Sequence, residues 1–309
     1  MLDYLKMEDF ALCIPTFNAG NKWIEVLRSI NEQELQPLKK FIIDSGSSDH
    51  TIQLAEQNGF IVNSISKFDF NHGKTRQQLA DLARNFNLVV FLTQDAILAS
   101  KDGIKNLIKV FDDETIGMAY GRQLPQKNAK PLEVHAREYN YPATPNKLSI
   151  ADQKTIGFKA FFCSNSFSAY SVKALKAVNG FPQDSIMGED AVVAAKMLKA
   201  GYKKAYVADA TVFHSHSYTL VEEFKRYFDT SVFHQQNQWM IKEFGKPTGE
   251  GIKFVKSELS YAFKHSPRDL FKSAASIFAK WLGYKFGQFY KNMSISTVKM
   301  LSMHKFYWK

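Results

Sequence analysis

Short apolar runs alternate with segments of helical periodicity over the first two-thirds of the chain. The apolar runs predict strands at 10–15, 40–44, 60–66, 88–92 and 204–212. Apolar residues recur at helical spacing over 21–30, from 51 onward, and over 74–85, 172–178 and 190–200. Because short strands alternate with helices, the pattern predicts βαβ units and a mostly parallel sheet flanked by helices.

The pattern changes in two places. Residues 121–152 are polar and rich in proline, and we expect them to form a long excursion over the active face. From residue 219 the chain is mostly helical and aromatic. We therefore predict an α/β domain over 1–218 and a helical C-terminal region over 219–309.

The positive charge is concentrated near the end of the chain. Residues 251–309 contain eleven lysines and arginines against Glu258 and Asp269, which accounts for +9 of the net charge of +10. Such a surplus favours an anionic partner for this region. Acidic residues cluster in the nearly neutral remainder, which argues against nucleic acid as that partner.

Composition also predicts a compartment. Cys13 and Cys163 each lie in an apolar run, which is typical of buried, reduced thiols in a cytoplasmic protein. Residues 1–10 lack the features of a secretory signal, and no apolar run is long enough to span a membrane.

Two of the predicted strands end in loops suited to a nucleotide. The first loop is Pro15, Thr16, Phe17 and Asn18, and the second contains Asp44, Gly46, Ser47 and Asp49. The carboxyl ends of parallel strands are where open α/β sheets bind their ligands. A carboxylate there can accept hydrogen bonds from a base or a ribose. Ordinary turn and helix-cap chemistry is the alternative, above all for Asp49.

Other side chains suit phosphates and a divalent cation. Asp95 follows the most apolar strand, so it needs a cation or strong donors, and Mg²⁺ or Mn²⁺ on a diphosphate fits. Its neighbour Gln94 is neutral and supplies no second charge. His214 and His216 leave three interpretations open: metal ligands, diphosphate contacts or ordinary surface histidines. His72, Lys74 and Arg76 begin a helix and could contact phosphates, or could form a solvated face.

Glu189 and Asp190 begin a helix directly after a glycine. Acids in a first helical turn are favourable against the helix dipole, and that is one explanation for them. The other is a general base at the same sheet edge as the remaining ligand-like segments.

In this order the segments resemble a family 2 glycosyltransferase of the GT-A fold, and within it the bacterial rhamnosyltransferases of surface-polysaccharide synthesis. The resemblance covers about 10–217. Residues 15–18 match the first nucleotide-binding loop, 44–49 the acidic loop that contacts base and ribose, 93–96 the Asp-x-Asp position, and 188–190 the Glu-Asp motif. The Gln94-Asp95-Ala96 form, with Asn71, His72, Gly73 and Arg76 upstream, suggests the rhamnosyl branch.

The resemblance implies a Rossmann-like sheet with a helical extension and an inverting transferase that uses a divalent cation, Mg²⁺ or Mn²⁺. Because Gln94 replaces an acid, we expect the cation to bind more weakly than in a two-aspartate site, which leaves open how far activity depends on it. Asp190 would be the catalytic base, and Glu189 would orient it or the acceptor. The donor would be dTDP-L-rhamnose and the acceptor a lipid-linked glycan of O-antigen, capsule or exopolysaccharide synthesis. A UDP-hexose donor, or a nucleotide-sugar-binding protein without catalysis, is the alternative.

The C-terminal region carries a separate prediction. Apolar residues recur at helical spacing among lysines: Leu270, Phe271, Ala274, Ile277, Phe278, Trp281 and Leu282. A basic amphipathic helix suits an anionic bilayer surface, here the inner face of the bacterial plasma membrane. Packing on the catalytic domain, or against a second copy in a homodimer, is the other explanation.

Overall fold

The structure is a computed structural model that describes residues 9–246 and 248–309. Residues 1–8, which make up most of the segment predicted to lack a secretory signal, lie outside the described part of the chain. The strands are β1 (Phe10–Thr16), β2 (Lys39–Asp44), β3 (Phe60–Ser64), β4 (Leu88–Leu92), β5 (Ile97–Leu98), β6 (Ile116–Leu124), β7 (Asn146–Leu148), β8 (Phe167–Ser171) and β9 (Lys203–Phe213).

The helices surround this set of strands. They are α1 (Lys22–Asn31), α2 (Thr51–Gln57), α3 (His72–Leu82), α4 (Gly103–Ile108), α5 (Pro131–Asn140), α6 (Gln153–Ile156), α7 (Val172–Ala177), α8 (Glu189–Lys199), α9 (Leu220–Gln236), α10 (Gln238–Phe244), α11 (Thr248–His265), α12 (Leu270–Gly287) and α13 (Ile295–Leu301). Short 3₁₀ turns, among them Lys67–Asp69 and Lys305–Tyr307, connect them.

All strands belong to one sheet, in the order β3-β2-β1-β4-β8-β6-β9-β5, with β7 paired to β9. Strands β1 to β4 are mutually parallel, and β8 pairs antiparallel with both β4 and β6. Strand β6 therefore runs in the same direction as β4, and β9 is parallel to β6. The carboxyl ends of β1, β2, β3, β4, β6 and β9 thus meet at one edge of the sheet. The predicted mostly parallel α/β fold is confirmed.

The central strands are buried on both faces. In β1, Phe10, Leu12 and Ile14 pack on one side, with α1 and α4, whereas Ala11 and Cys13 pack on the other. That second side is covered by α3, α7, α8 and the first of the C-terminal helices, α9. Continuous apolar strands of this kind are typical of a sheet covered by helices on both faces.

Two expectations change in detail. Residues 121–152 do not form one excursion, because their first four residues complete β6 and later ones form α5 and β7. The segment after residue 158 contains β8, an antiparallel strand that apolar periodicity did not predict. The predicted burial of Cys13 and Cys163 as free thiols is confirmed.

The C-terminal helix α12 packs with its small and polar residues inward. Gly283 and Gly287 contact the backbone of α9 so closely that an added Cβ would lie 2.1 Å from Phe224 O and 2.5 Å from Phe228 O. Ser273 is buried and donates to Glu258 at 2.8 Å. Phe271, Phe278 and Trp281 of α12 face outward, whereas Tyr284 bonds His234 of α9. None of the described helices is long and apolar enough to cross a bilayer.

Candidate active site

The first two loops at the carboxyl edge are joined through Asp44. This side chain is fully buried, and its Oδ1 accepts hydrogen bonds from the backbone N–H of Gly46 (3.0 Å) and Ser47 (2.7 Å). Its Oδ2 accepts from the hydroxyls of Thr16 (2.8 Å) and Ser47 (2.6 Å). With four donors from the chain itself, Asp44 shapes the loop, and the predicted contact with a base or ribose stays a prediction.

Neighbouring residues extend this connection. Asn18 has a positive φ of 43°, donates its N–H to Ser47 Oγ at 2.7 Å and accepts from Ser48 N at 2.8 Å. Asp49 accepts from Thr51 N and Gly20 N, both at 3.0 Å, so it ties the start of α2 to the first loop. The two loops predicted to bind a nucleotide, at 15–18 and 44–49, are thus linked into one surface by hydrogen bonds.

Gln94 joins the third loop to the first. Its Oε1 accepts from Phe17 N at 2.7 Å, and its Nε2 donates to Phe17 O at 3.0 Å. A carboxylate could not donate to the Phe17 carbonyl. This explains in physical terms why an amide occupies the position where the Asp-x-Asp pattern has an acid.

Asp95, His214 and His216 form a candidate metal site. One ligand atom from each lies within 4.8 Å of the others. The two histidine Nε2 atoms are 3.0 Å apart, and each lies 3.4 Å from an Asp95 oxygen. Cis ligands of an octahedral ion, each about 2.1 Å from it, are separated by about 3 Å, so the spacing fits a shared divalent cation. The interpretation as ordinary surface histidines is wrong for His214, which is buried.

Hydrogen bonds orient His214 for this role. Its Nδ1 lies 3.0 Å from Gln123 Oε1, an oxygen that also accepts from Arg137 Nη1. An amide oxygen only accepts, so Nδ1 carries the hydrogen and Nε2 is the atom available to a cation. Burial raises the pKa of Asp95, but when His214 carries a second proton on Nε2, the hydrogen bond from that nitrogen and the nearby imidazoles outweigh burial and hold this pKa well below its usual range. A bound cation would take the place of that proton.

Glu189 and Asp190 lie at the start of α8 with different partners. Glu189 is buried, pairs with Arg76 at 3.0 Å and accepts from Asn165 Nδ2 at 3.0 Å. Asp190 is partly exposed and accepts from the N–H of Asn165 (3.1 Å) and Ala191 (2.8 Å). Burial and the adjacent Glu189 carboxylate raise the pKa of Asp190 to about 7. Glu189 has a guanidinium to neutralise it, whereas Asp190 is poised to exchange a proton.

One short segment brings the metal site and the carboxyl pair together. Ser164 accepts from Gln123 Nε2 at 2.8 Å, and Gln123 holds His214. The next residue, Asn165, contacts both Glu189 and Asp190. Because consecutive Cα atoms are about 3.8 Å apart, the candidate metal site and the carboxyl pair lie close together at this sheet edge, and the space between them is named the active-site hollow.

The helix start that was predicted to bind phosphate is already capped. Asn71 Oδ1 accepts from Gly73 N (2.9 Å) and Lys74 N (3.1 Å). Arg76 is committed to Glu189, and the His72 ring lies beside it, with Nδ1 3.5 Å from Arg76 Nη1. Phosphate contacts by His72, Lys74 and Arg76 stay a prediction.

Sequence reasoning missed several residues of this site. Asn165 accepts from Ser168 (2.8 Å) and Tyr170 (2.7 Å) through Oδ1, which fixes its amide toward Glu189. Gln123 and Arg137 support His214. No motif marks these positions. The only signal was polar residues in a largely apolar segment, where a buried amide needs partners.

Gly188 allows the turn that presents the carboxyl pair. Its φ is +68°, and an added Cβ would lie 3.0 Å from the Phe233 ring of α9. We expect Gly188→Ala to lower the free energy of unfolding by about 2–4 kcal/mol, from backbone strain plus overpacking. Denaturant unfolding measures this.

Gly201 provides the matched control, because its φ is +87° and nothing lies within 4 Å of an added Cβ. Gly201→Ala should lower the free energy of unfolding by the backbone strain alone, about 1–2 kcal/mol. Equal losses in the two variants would contradict a packing role for Phe233 against the turn.

A parallel sheet edge that joins a serine-rich acidic loop, a candidate cation site and the Glu189–Asp190 carboxyl pair defines a nucleotide-sugar glycosyltransferase of the GT-A type. The chain belongs to glycosyl transferase family 2, whose sequence model matches residues 11–178. This confirms the family resemblance.

Relatives extend over almost the whole chain. It is 48% identical to the O-antigen chain rhamnosyltransferase RfbN of Salmonella typhimurium, over 96% of this chain and 95% of the relative. It is 44% identical to the O-antigen chain rhamnosyltransferase WbaN of Salmonella anatum, over 98% of this chain and 96% of the relative.

Solved structures share the fold at low identity. A mannosyltransferase from Pyrobaculum calidifontis, in complex with GDP-Man and Mn²⁺, superposes with a TM-score of 0.63 at 16% identity, over 92% of this chain and 86% of that one. Residues 1–349 of Staphylococcus aureus TarS, in complex with UDP-GlcNAc, superpose with a TM-score of 0.54 at 12% identity, over 92% of each chain. These likenesses support the fold alone.

Proposed function

We propose that this enzyme transfers L-rhamnose from dTDP-L-rhamnose to a lipid-linked glycan, with inversion at the anomeric carbon. We infer the donor and the pathway from the 48% identity to an O-antigen chain rhamnosyltransferase over nearly the full length. A nucleotide-sugar donor fits the joined loops at the sheet edge, and the surface-polysaccharide acceptor follows the same relatives.

Asp190 is the general base of the proposed reaction. An acceptor hydroxyl loses its proton to the Asp190 carboxylate while its oxygen attacks the anomeric carbon, and the nucleoside diphosphate leaves from the opposite face. A pKa near 7 suits this task, since the group is partly ionised at neutral pH yet basic enough to take the proton. Glu189 is fixed by Arg76 and Asn165. From there it would orient Asp190 or the acceptor.

A divalent cation, Mg²⁺ or Mn²⁺, is proposed to bind Asp95, His214 and His216. When bound it would supply positive charge to the leaving diphosphate. The donor set contains one anionic and two neutral ligands, so the two imidazoles compensate for the neutral Gln94 in the Asp-x-Asp position. The loops of Thr16, Phe17, Asn18, Ser47 and Asp49 would position the nucleoside.

A donor comparison tests the proposal. Purified enzyme with Mn²⁺ is given dTDP-L-rhamnose, UDP-glucose, UDP-galactose or UDP-GlcNAc, together with a panel of alkyl-diphosphate-linked hexoses. We expect transfer from dTDP-L-rhamnose, and NMR of the product should identify an α-L-rhamnoside. Preference for a UDP-hexose would overturn the donor assignment. Donor binding with no transfer or hydrolysis would favour a binding protein without catalysis.

We also propose that the C-terminal region, predicted to begin at 219, rests on an anionic membrane surface. On α12, Phe271, Phe278 and Trp281 are 89%, 60% and 54% exposed. They lie seven and three residues apart and so share one face, while the polar Ser273 and Lys280 contact Glu258 on the protein side. On α11, Ile252, Leu259 and Phe263 are exposed as well. An aromatic face turned outward among lysines suits a bilayer interface.

Liposome flotation measures this association. Replacing Phe271, Phe278 and Trp281 together with serine should weaken partitioning into anionic vesicles by at least about 100-fold, given the burial free energy of large apolar side chains. Serine at the exposed Ile24, Leu38 and Ile61, which lie outside the C-terminal region, is the matched control and should leave flotation unchanged. Equal recovery of wild type with and without anionic lipid would contradict the proposal. In that case, a dimer that forms with increasing protein concentration would explain the exposed aromatic face of α12.

A further inference from the structure

The C-terminal segment 302–306 returns to the active-site hollow. Asp229 of α9 is fully buried, and its Oδ2 accepts from Met303 N at 2.8 Å and His304 N at 3.2 Å. This anchor fixes the backbone directly before the His304 side chain. Phe306 then contacts Phe68, with ring centroids 5.9 Å apart, and lies beneath Lys67 Nζ at 4.9 Å.

The same lysine connects this segment to the nucleotide-binding loop. Lys67 Nζ lies 4.7 Å from the centre of the Phe17 ring as well, so it is placed between an aromatic residue of the first loop and one of the C-terminal segment. The segment is therefore held from two sides, by α9 and by the loop at the donor end.

His304 lies on the Glu189 side of the hollow. Its ring packs edge-on against His72, with centroids 4.9 Å apart, and His72 contacts Arg76, the partner of Glu189. Burial and His72 lower the pKa of His304 to about 3, while Glu189 and Arg226 act on it with opposite signs. The contacts from His304 to His72, from His72 to Arg76 and from Arg76 to Glu189 thus connect His304 to the carboxyl pair.

The His304 ring is open to a ligand. The side chain is partly exposed, and among residues 9–246 and 248–309 neither ring nitrogen has a hydrogen-bond partner. A neutral imidazole offers one N–H donor and one nitrogen acceptor. That pair matches a sugar hydroxyl, which can donate and accept.

We propose that His304 is an acceptor-binding residue, which hydrogen-bonds a hydroxyl of the acceptor sugar and so presents the neighbouring hydroxyl to Asp190. This inference rests on the proposed glycosyl transfer. The acceptor must lie on the Asp190 side, because the leaving diphosphate lies toward the cation site, and His304 is on that acceptor side. The C-terminal region then supplies part of the active site and is more than a membrane contact.

The test compares wild type, His304→Ala and His304→Gln in steady-state transfer to alkyl-diphosphate-linked hexoses. We expect His304→Ala to raise the acceptor KM about tenfold, which corresponds to loss of one hydrogen bond, and to leave the donor KM and donor hydrolysis within twofold. His304→Gln keeps a donor and an acceptor and should recover most of the loss. Lys305→Ala, at the exposed next residue, is the matched control.

Calorimetric binding of the same acceptor probes without donor separates the two proposals. Weaker acceptor binding by His304→Ala, with no transfer from dTDP-L-rhamnose by wild type, would count against the donor assignment alone. Unchanged acceptor affinity and KM, equal effects on donor and acceptor, or no binding of any probe by wild type would overturn the role of His304. Equal melting temperatures of His304→Gln and wild type would show that the variant retains the fold.

Discussion

Replacing Asp190 with Asn is expected to lower kcat by about 10²–10⁴-fold, because the amide cannot take the proton from the acceptor hydroxyl. The substitution is nearly isosteric, and the amide oxygen can still accept from Asn165 N or Ala191 N. The KM for the nucleotide-sugar donor should therefore change little. Initial rates of rhamnose transfer at saturating donor measure the effect.

The pH dependence provides an independent check on this assignment. The base must be ionised, and its pKa is raised to about 7, so kcat/KM should rise with pH up to about 7 and then level off. Asp209→Asn, at an exposed acid of β9, should match wild type in rate and in pH profile. Wild-type turnover by Asp190→Asn would remove Asp190 from the base role.

Removal of the divalent cation is expected to reduce transfer by about 10³-fold, in line with the several kcal/mol that a Lewis acid contributes at a leaving diphosphate. Dialysis against EDTA followed by addition of Mn²⁺ or Mg²⁺ should restore the rate. In His214→Gln the concentration of Mn²⁺ that gives half-maximal rate should rise at least about tenfold, because one of three ligands is lost.

His50→Gln is the matched control, since His50 is exposed just before α2 and, within the described part of the chain, its ring bonds only Gln53. Direct titration of Mn²⁺ by electron paramagnetic resonance reports binding without catalysis. Full activity in EDTA that added Mn²⁺ does not change would disprove the metal role of Asp95.

Much of the fold was predictable because its signals are local. The strands β1, β2, β3 and β4 are apolar runs followed by polar loops, and the helices between them keep their apolar residues on one face. A parallel arrangement then brings the carboxyl ends to one edge. The order of four short motifs along the chain was sufficient for the family.

Other features depend on contacts between distant segments, and no local pattern encodes them. Strand β8 is inserted antiparallel between β4 and β6, and this insertion places Asn165 against Glu189 and Asp190. The role of Gln94 as a clamp on Phe17, 77 residues away, likewise becomes visible only in the fold. An amide in sequence shows its chemistry but not its partner.

The predicted division at 218/219 stays a prediction, and the packing across this point adds information that the sequence does not contain. Phe228, Val232 and Phe233 of α9 belong to the same apolar core as the residues of α8. Composition changes at this point because the later helices are basic and aromatic, whereas the core continues through it. Segment 302–306 then reaches back to the hollow.

The glycines of α12 have a mechanical consequence. No side chain separates the two backbones at Gly283 and Gly287, so α12 and α9 are in direct backbone contact. Helix α9 also carries Phe233, whose ring lies beside Gly188 in the turn before Asp190. Because α9 connects α12 to the turn before Asp190, the proposed general base, we expect binding of the outer aromatic face to lipid vesicles to change the turnover rate.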